Sequence, residues 1–168
     1  MLRRVVLLIL AVVLAAAGGR SLLADDAPAK RSRAQLERVV DGDTLVGTIG
    51  DREERVRLIG IDTPESVKPD APVECGGKAA SRAMERRVAG HRAVRLMTDP
   101  TQDRRDGFGR LLRYVELPGG TDLGKAQVRD GWAEVYVYDD VPFRRVDAYR
   151  AAERRAADEG RGVHGRCD

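Results

Sequence analysis

Three short stretches of this chain concentrate side chains able to do chemistry: Asp41-Gly-Asp43-Thr44, the run RLIGIDTPE from Arg57 to Glu65, and Asp106-Gly-Phe-Gly-Arg110. Each has an ordinary structural reading. Asp-Gly-Asp-Thr suits a hairpin turn, because aspartate bonds its own backbone and glycine accepts a turn's dihedral angles. Asp62-Thr63-Pro64-Glu65 makes a turn around its proline, and the segment 106–110 is a glycine-rich bend whose arginine enters a strand as a solvated charge. Taken together they say more. Asp43 near one hairpin and Asp62 at the end of the third strand would lie side by side if those strands pair. Two carboxylates held close raise each other's proton affinity unless a cation sits between them, and a hard divalent ion such as calcium accepts carboxylate and carbonyl oxygens in irregular geometry. Arg57 and Arg110, each placed at the start of a strand, carry guanidinium groups that grip phosphate oxygens in pairs and stay charged at any working pH. Two arginines, a metal ion and a spare carboxylate, Glu65, are the parts for phosphodiester hydrolysis. The cations would offset charge on a five-coordinate transition state, and Glu65 would orient or deprotonate water.

The elements that must position these groups follow from the pattern around them. QLERVVDGDTLV, from Gln35, alternates apolar and polar residues on both sides of Asp41-Gly42 and predicts strand, turn, strand. ERVRLIGID is a third strand, completing a meander. After a proline-rich loop at 64–76, KAASRAMERRVAG has helical spacing and a terminal glycine. AVRLM and RLLRYVEL are the fourth and fifth strands, separated by the polar loop TDPTQDRRDGFG. TDLGKAQVRDG predicts a short helix with a Thr or Asp cap, WAEVYVY an extended segment, and PFRRVDAYRAAERRAADEG a helix opened by proline and closed by glycine. Three strands, a helix, two strands and further helices predict an α+β fold: a five-stranded oligonucleotide-binding (OB) barrel with about three helices.

VVDGDTL, VRLIGIDTPE and DGFGRLLRYV, in this order and at these separations, resemble the staphylococcal nuclease (thermonuclease) family of calcium-dependent secreted nucleases, from about Gln35 to Arg154. The resemblance implies the same barrel and three helices. It implies that Asp43 and Asp62 ligate Ca2+ with the Thr63 carbonyl, and that Asp41 sits in the outer shell. Arg57 would hold the scissile phosphate, Glu65 would be the general base or water-positioning group, and Arg110 would contact the phosphate and aid the leaving group. The substrates it implies are DNA and RNA, cut at the bond to the 5' oxygen to leave 3'-phosphate ends. Tyr136 and Tyr138 resemble the family's base-stacking tyrosines, and they also fit alternating half-buried strand residues. One departure stands out: where the family often has a basic residue and a tyrosine before Gly-Arg, this chain has Gly107 and Phe108.

The 168 residues suffice for one domain with a real core. Residues 1–17 read as a signal peptide, with Arg3 and Arg4, an apolar run from Val5 and Ala15 and Ala17 at the cleavage spacing. The run is shorter than the ~18 to 20 residues of a membrane span, so a retained anchor is the alternative. Residues 18–34 read as a flexible lead-in and 35–168 as the nuclease-like domain, secreted or extracytoplasmic, monomeric, and touching a membrane only through an uncleaved N-terminal segment. The formal charge of +3 includes Arg3 and Arg4, so the remaining chain is nearly neutral and its charge argues only weakly for nucleic acid. Two cysteines, Cys75 and Cys167, in an exported chain favour one disulfide, with two unpaired thiols as the alternative. His91 and His164 lie away from the three stretches and the chain has no asparagine, so histidine-based nuclease schemes and zinc sites find no support. The runner-up function is the same barrel acting as a single-strand-binding module without catalysis.

Overall fold

The computed structural model describes residues 29–66 and 73–167. The signal-peptide reading of 1–17 and the first part of the lead-in lie outside the described residues. In chain order the strands are β1 (Arg31–Val39), β2 (Thr44–Ile49), β3 (Arg52–Leu58), β4 (Ile61–Asp62), β5 (Ala93–Met97), β6 (Leu111–Glu116) and β7 (Glu134–Val135). The helices are α1 (Gly77–Val88), α2 (Leu123–Arg129) and α3 (Val146–Asp158).

Alternation decides which face of each long strand turns inward. In β3, Val56 and Leu58 are buried while Arg55 and Arg57 point outward, and in β5 Val94 and Leu96 are buried around an exposed Arg95. Five strands with one apolar face each close into a barrel in the order β1-β2-β3-β6-β5, which leaves no open edge. All pairings are antiparallel except β3 with β6, which run parallel with Val56 opposite Leu111 and Arg57 opposite Leu112. This is the α+β barrel with three helices that the strand order predicts.

The helices pack by small residues and shared polar anchors. Asp122 caps α2 by accepting the Lys125 N–H at 3.1 Å, and the same carboxylate accepts the Tyr149 hydroxyl of α3 at 2.8 Å. A β-carbon on Gly124 would stand 2.9 Å from that hydroxyl, so glycine lets the two helices approach. Tyr114, Phe143 and Tyr149 form an edge-on aromatic cluster, with the Phe143 and Tyr149 rings 5.1 Å apart.

Several boundaries differ from the sequence reading. β1 begins at Arg31 rather than Gln35, because Arg31 to Gln35 pair with Met97 to Ala93; only Ala34 is buried there, so no apolar alternation marks the strand. ERVRLIGID is not one strand. The chain breaks after Leu58, turns at Gly60 with φ +80°, and Ile61–Asp62 leaves the barrel to pair with β7. WAEVYVY pairs as a strand only at Glu134–Val135 and then tightens into a 3-10 turn at Tyr138–Asp140. Tyr136 and Tyr138, 47% and 67% exposed, lie beyond the end of β7, so neither is the alternating strand residue of the second reading. The last helix begins at Val146, not at Pro142, because Phe143 is buried and the Arg144 N–H is taken by Asp99. Cys75 and Cys167 are bonded, which settles the choice between one bridge and two thiols. Among the described residues no helix is long and apolar enough to cross a membrane.

Candidate active site

The site grows from two turns that lock into each other. In the first, between β1 and β2, the Asp41 carboxylate accepts the Asp43 N–H at 3.0 Å, closing an Asx turn around Gly42. Asp43 Oδ2 then accepts both the Thr63 N–H, at 3.0 Å, and the Thr63 hydroxyl, at 2.9 Å, while Oδ1 accepts the Thr44 hydroxyl. The Asp43 side chain is 8% exposed. The contact is close: a β-carbon on Gly42 would come within 2.9 Å of the Thr63 side chain and of Ala80.

Arg57, at the end of β3 rather than the start of a strand, extends from between buried Val56 and Leu58 over these turns. Its Nη1 lies 2.6 Å from Asp43 Oδ1 and its Nη2 lies 2.7 Å from Asp62 Oδ1. The two carboxylates are thus brought together as expected, though not by pairing of neighbouring strands. Asp43 stands in the β1–β2 turn, Asp62 on the short β4, and a guanidinium bridges them. Nη1 is buried and, despite its ion-pair contact, has no aligned hydrogen-bond acceptor among the described residues.

Charge in this cluster remains unbalanced. Burial first, and then the neighbouring Asp43 charge, push Asp41 up to about 6. Burial raises Asp62 too, with Asp43 and Glu134 adding and Arg57 opposing. Hard carboxylate oxygens held this close suit a hard divalent ion. Among the described residues no three carboxylate, thiol or imidazole side chains converge to hold a metal.

Arg110 stands just before β6. Its Nε donates to Asp106 Oδ2 at 2.6 Å, and Asp106 Oδ1 accepts the N–H groups of Phe108 and Arg110 at 3.0 and 2.9 Å. Burial pushes Asp106 up, but the Arg110 hydrogen bonds and charge together with the Phe108 N–H outweigh it and hold the carboxyl below its ordinary value. The parallel pairing of β3 with β6 brings this end of β6 to the cleft over Arg57. That cleft, about 430 Å³, is lined by Arg57, Asp62, Phe108, Arg110, Tyr136 and Tyr138. Phe108 is 88% exposed, with the Arg110 guanidinium 5.4 Å from its ring centre. Arg105, which also lines the cleft, makes a two-pronged ion pair with Glu54.

Glu65 is the exception. Its Oε1 accepts the Ser66 N–H, its backbone exchanges hydrogen bonds with Glu74, and it is not among the residues lining the cleft. Glu74 adjoins Cys75, so the disulfide to Cys167 anchors the segment that holds Glu65. Two polar residues escaped the sequence reading. Asp106 had a detectable signal, an aspartate four residues before Arg110 in a glycine-rich bend. Gln127, fully buried on α2, had none.

A family profile described as "Staphylococcal nuclease homologue" matches residues 55–164, taking in Arg57, Asp62, Glu65, Arg110, Tyr136 and Tyr138. The thermonuclease of Staphylococcus intermedius is 39% identical over 120 residues, covering 67% of this chain and 69% of that protein. The thermonuclease of Staphylococcus hyicus is 36% identical over 110 residues, covering 66% and 63%. The SPbeta prophage-derived endonuclease YokF of Bacillus subtilis (strain 168) is 36% identical over 125 residues, covering 74% of this chain but only 41% of the relative. A barrel of the expected order, two interlocked acidic turns, a profile over more than half of the residues and these relatives agree: the chain belongs to the staphylococcal nuclease family.

Proposed function

We propose that this chain is a secreted, calcium-dependent phosphodiesterase that cuts DNA and RNA to 3'-phosphate ends. The observation that carries the reading is the cleft in which Arg57, tethered to Asp43 and Asp62, faces Arg110 and the exposed Tyr136 and Tyr138. The names of the relatives, thermonucleases and an endonuclease, support a nucleic-acid substrate.

Asp43, Asp62 and the Thr63 carbonyl would hold calcium, with Asp41 behind them. The ion, when bound, would supply a Lewis acid that neutralises charge on the phosphate. Arg57, released from its carboxylates, would hold the scissile phosphate by paired hydrogen bonds, and Arg110, aimed by Asp106, would meet it from the other side. Water adds to phosphorus, the bond to the 5' oxygen breaks, and that oxygen leaves with a proton, so the products are a 3'-phosphate and a 5'-hydroxyl. Glu65 would orient the water or take its proton, an assignment resting on its motif position three residues beyond Asp62. Tyr136 and Tyr138 would stack bases, which tolerates any sequence. With two direct carboxylates, calcium should bind at about 10⁻⁴ to 10⁻³ M, the range of extracellular modules. Such a site fills outside the cell and stays empty in a cytosol, which fits an exported enzyme.

The test is degradation of heat-denatured DNA by the purified chain from Asp25 onward, with calcium or with a chelator, beside Arg57→Ala. Cleavage that needs calcium and falls about 10²- to 10³-fold or more in the variant is expected. Tight binding without cleavage in either protein would move the assignment to a single-strand-binding module.

A further inference from the structure

Gln127 is fully buried on α2, in company with Leu123, Ala126 and Val128. A primary amide in an apolar setting is tolerated only when its donors and acceptor are met, and here all are. Its Nε2 donates to the Gly42 carbonyl at 2.9 Å and to the Ala80 carbonyl at 3.1 Å, and its Oε1 accepts Arg87 Nη1 at 2.6 Å. Arginine has no acceptor and a carbonyl has no donor, so the neighbours allow only one orientation of this amide. Arg87 is itself fixed by an ion pair with Asp130 at the end of α2.

Gly42 is the residue between Asp41 and Asp43, and its α-carbon packs closely against the Thr63 and Ala80 side chains. The Asx turn is therefore held at two points, by Thr63 through Asp43 and by Gln127 through the Gly42 carbonyl. We infer that Gln127 is a positioning residue for the Asp41–Asp43 turn, transmitting the placement of α1 and α2 to the carboxylates that face the cation. An apolar side chain of the same size would fill the space and leave the Gly42 carbonyl unmet, free to turn and carry Asp43 with it.

The inference rests on the calcium reading proposed above, and its test separates the two. The full chain, free of metal and with no substrate, is titrated with calcium chloride while the backbone amide NMR signals of residues 41–44 and 62–63 are followed. Gln127→Met should weaken calcium binding about 10- to 100-fold, as loss of an outer-shell partner does. Val128→Ala, a destabilising change on the same helix that touches none of these hydrogen bonds, should leave the affinity unchanged. Should Gln127→Met fail to fold, Arg87→Met, which leaves the glutamine but frees its oxygen, is expected to weaken binding in the same direction. Unchanged calcium affinity in the folded Gln127 variant, or in Arg87→Met where it stands in, overturns the inference alone. So does equal weakening in Val128→Ala, which would make the effect one of general stability. A wild-type chain that takes up no calcium overturns the functional reading and the inference with it.

Discussion

Asp99 is 3% exposed and collects four donors: the Tyr114 hydroxyl, the Thr101 N–H and hydroxyl at 2.9 and 2.8 Å, and the Arg144 N–H at 2.7 Å. Burial pushes its acidity up, but these hydrogen bonds outweigh it and hold the carboxyl below the ordinary value of about 3.9. A depressed pKa contributes stability that is present above the unfolded value and is lost as pH falls through the folded one. Asp99→Asn should therefore cost about 1 to 3 kcal/mol at neutral pH and progressively less in acid. Urea unfolding of both proteins at pH 7 and below pH 4 checks this, and a constant difference would show that the charge is not what matters. At the cleft, Tyr136→Ala with Tyr138→Ala should raise KM for single-stranded DNA about 30-fold or more while kcat holds, since stacking binds substrate without touching the phosphate. Steady-state kinetics on denatured DNA would decide it, and an equal fall in kcat would give the rings a different role. Asp43, Arg57 and Asp62 were legible only jointly, because paired carboxylates beside an arginine ask for a shared partner, while Thr63 entered through the family resemblance alone. Asp99 and Gln127 were not, because one polar side chain in a loop or a short helix carries no sign that folding will bury it.

Among the elements, the break between β3 and β4 matters most for the site. Gly60 has φ +80°, and a β-carbon there would stand 2.4 Å from the Phe143 ring. The Gly60 carbonyl accepts the Tyr136 N–H at 3.0 Å, so the same kink sends Asp62 toward Arg57 and draws the Tyr136 strand alongside it. Gly60→Ala should cost about 2 to 4 kcal/mol, the sum of a left-handed backbone and an overfilled contact. Chemical denaturation measures it, and a loss under half a kcal/mol would mean that Phe143 moves aside easily. The sequence hid this break because LIGI continues the apolar run straight through it. Likewise WAEVYVY alternates like a strand, yet its ladder ends with the Tyr136 N–H on the Gly60 carbonyl, and the chain turns at Tyr138–Asp140. The barrel strands were easier to read, since each buries one face and period-two alternation records that burial.

Over the whole molecule, the disulfide ties the segment beside Glu65 to the C-terminal end across a sequence separation of 92. In the chain-entropy model a loop of that size contributes about 4 to 5 kcal/mol. Replacing Cys75 and Cys167 by serine should lower the urea midpoint accordingly, and an unchanged midpoint would mean that the tail holds by packing alone. The sequence left this bridge as one of two options, because only the docking of the tail brings Cys167 to Cys75: the Val163 N–H donates to the Gly131 carbonyl at 2.9 Å, and Val163 packs against Gly76. The bridge also makes a covalent ring out of everything from α1 to the tail. Exposed arginines such as Arg82, Arg86, Arg154 and Arg155 carry the side chain that a trypsin-like protease recognises. A single cut inside the ring opens it without releasing a fragment, so a nicked molecule remains one particle with its cleft residues still tethered.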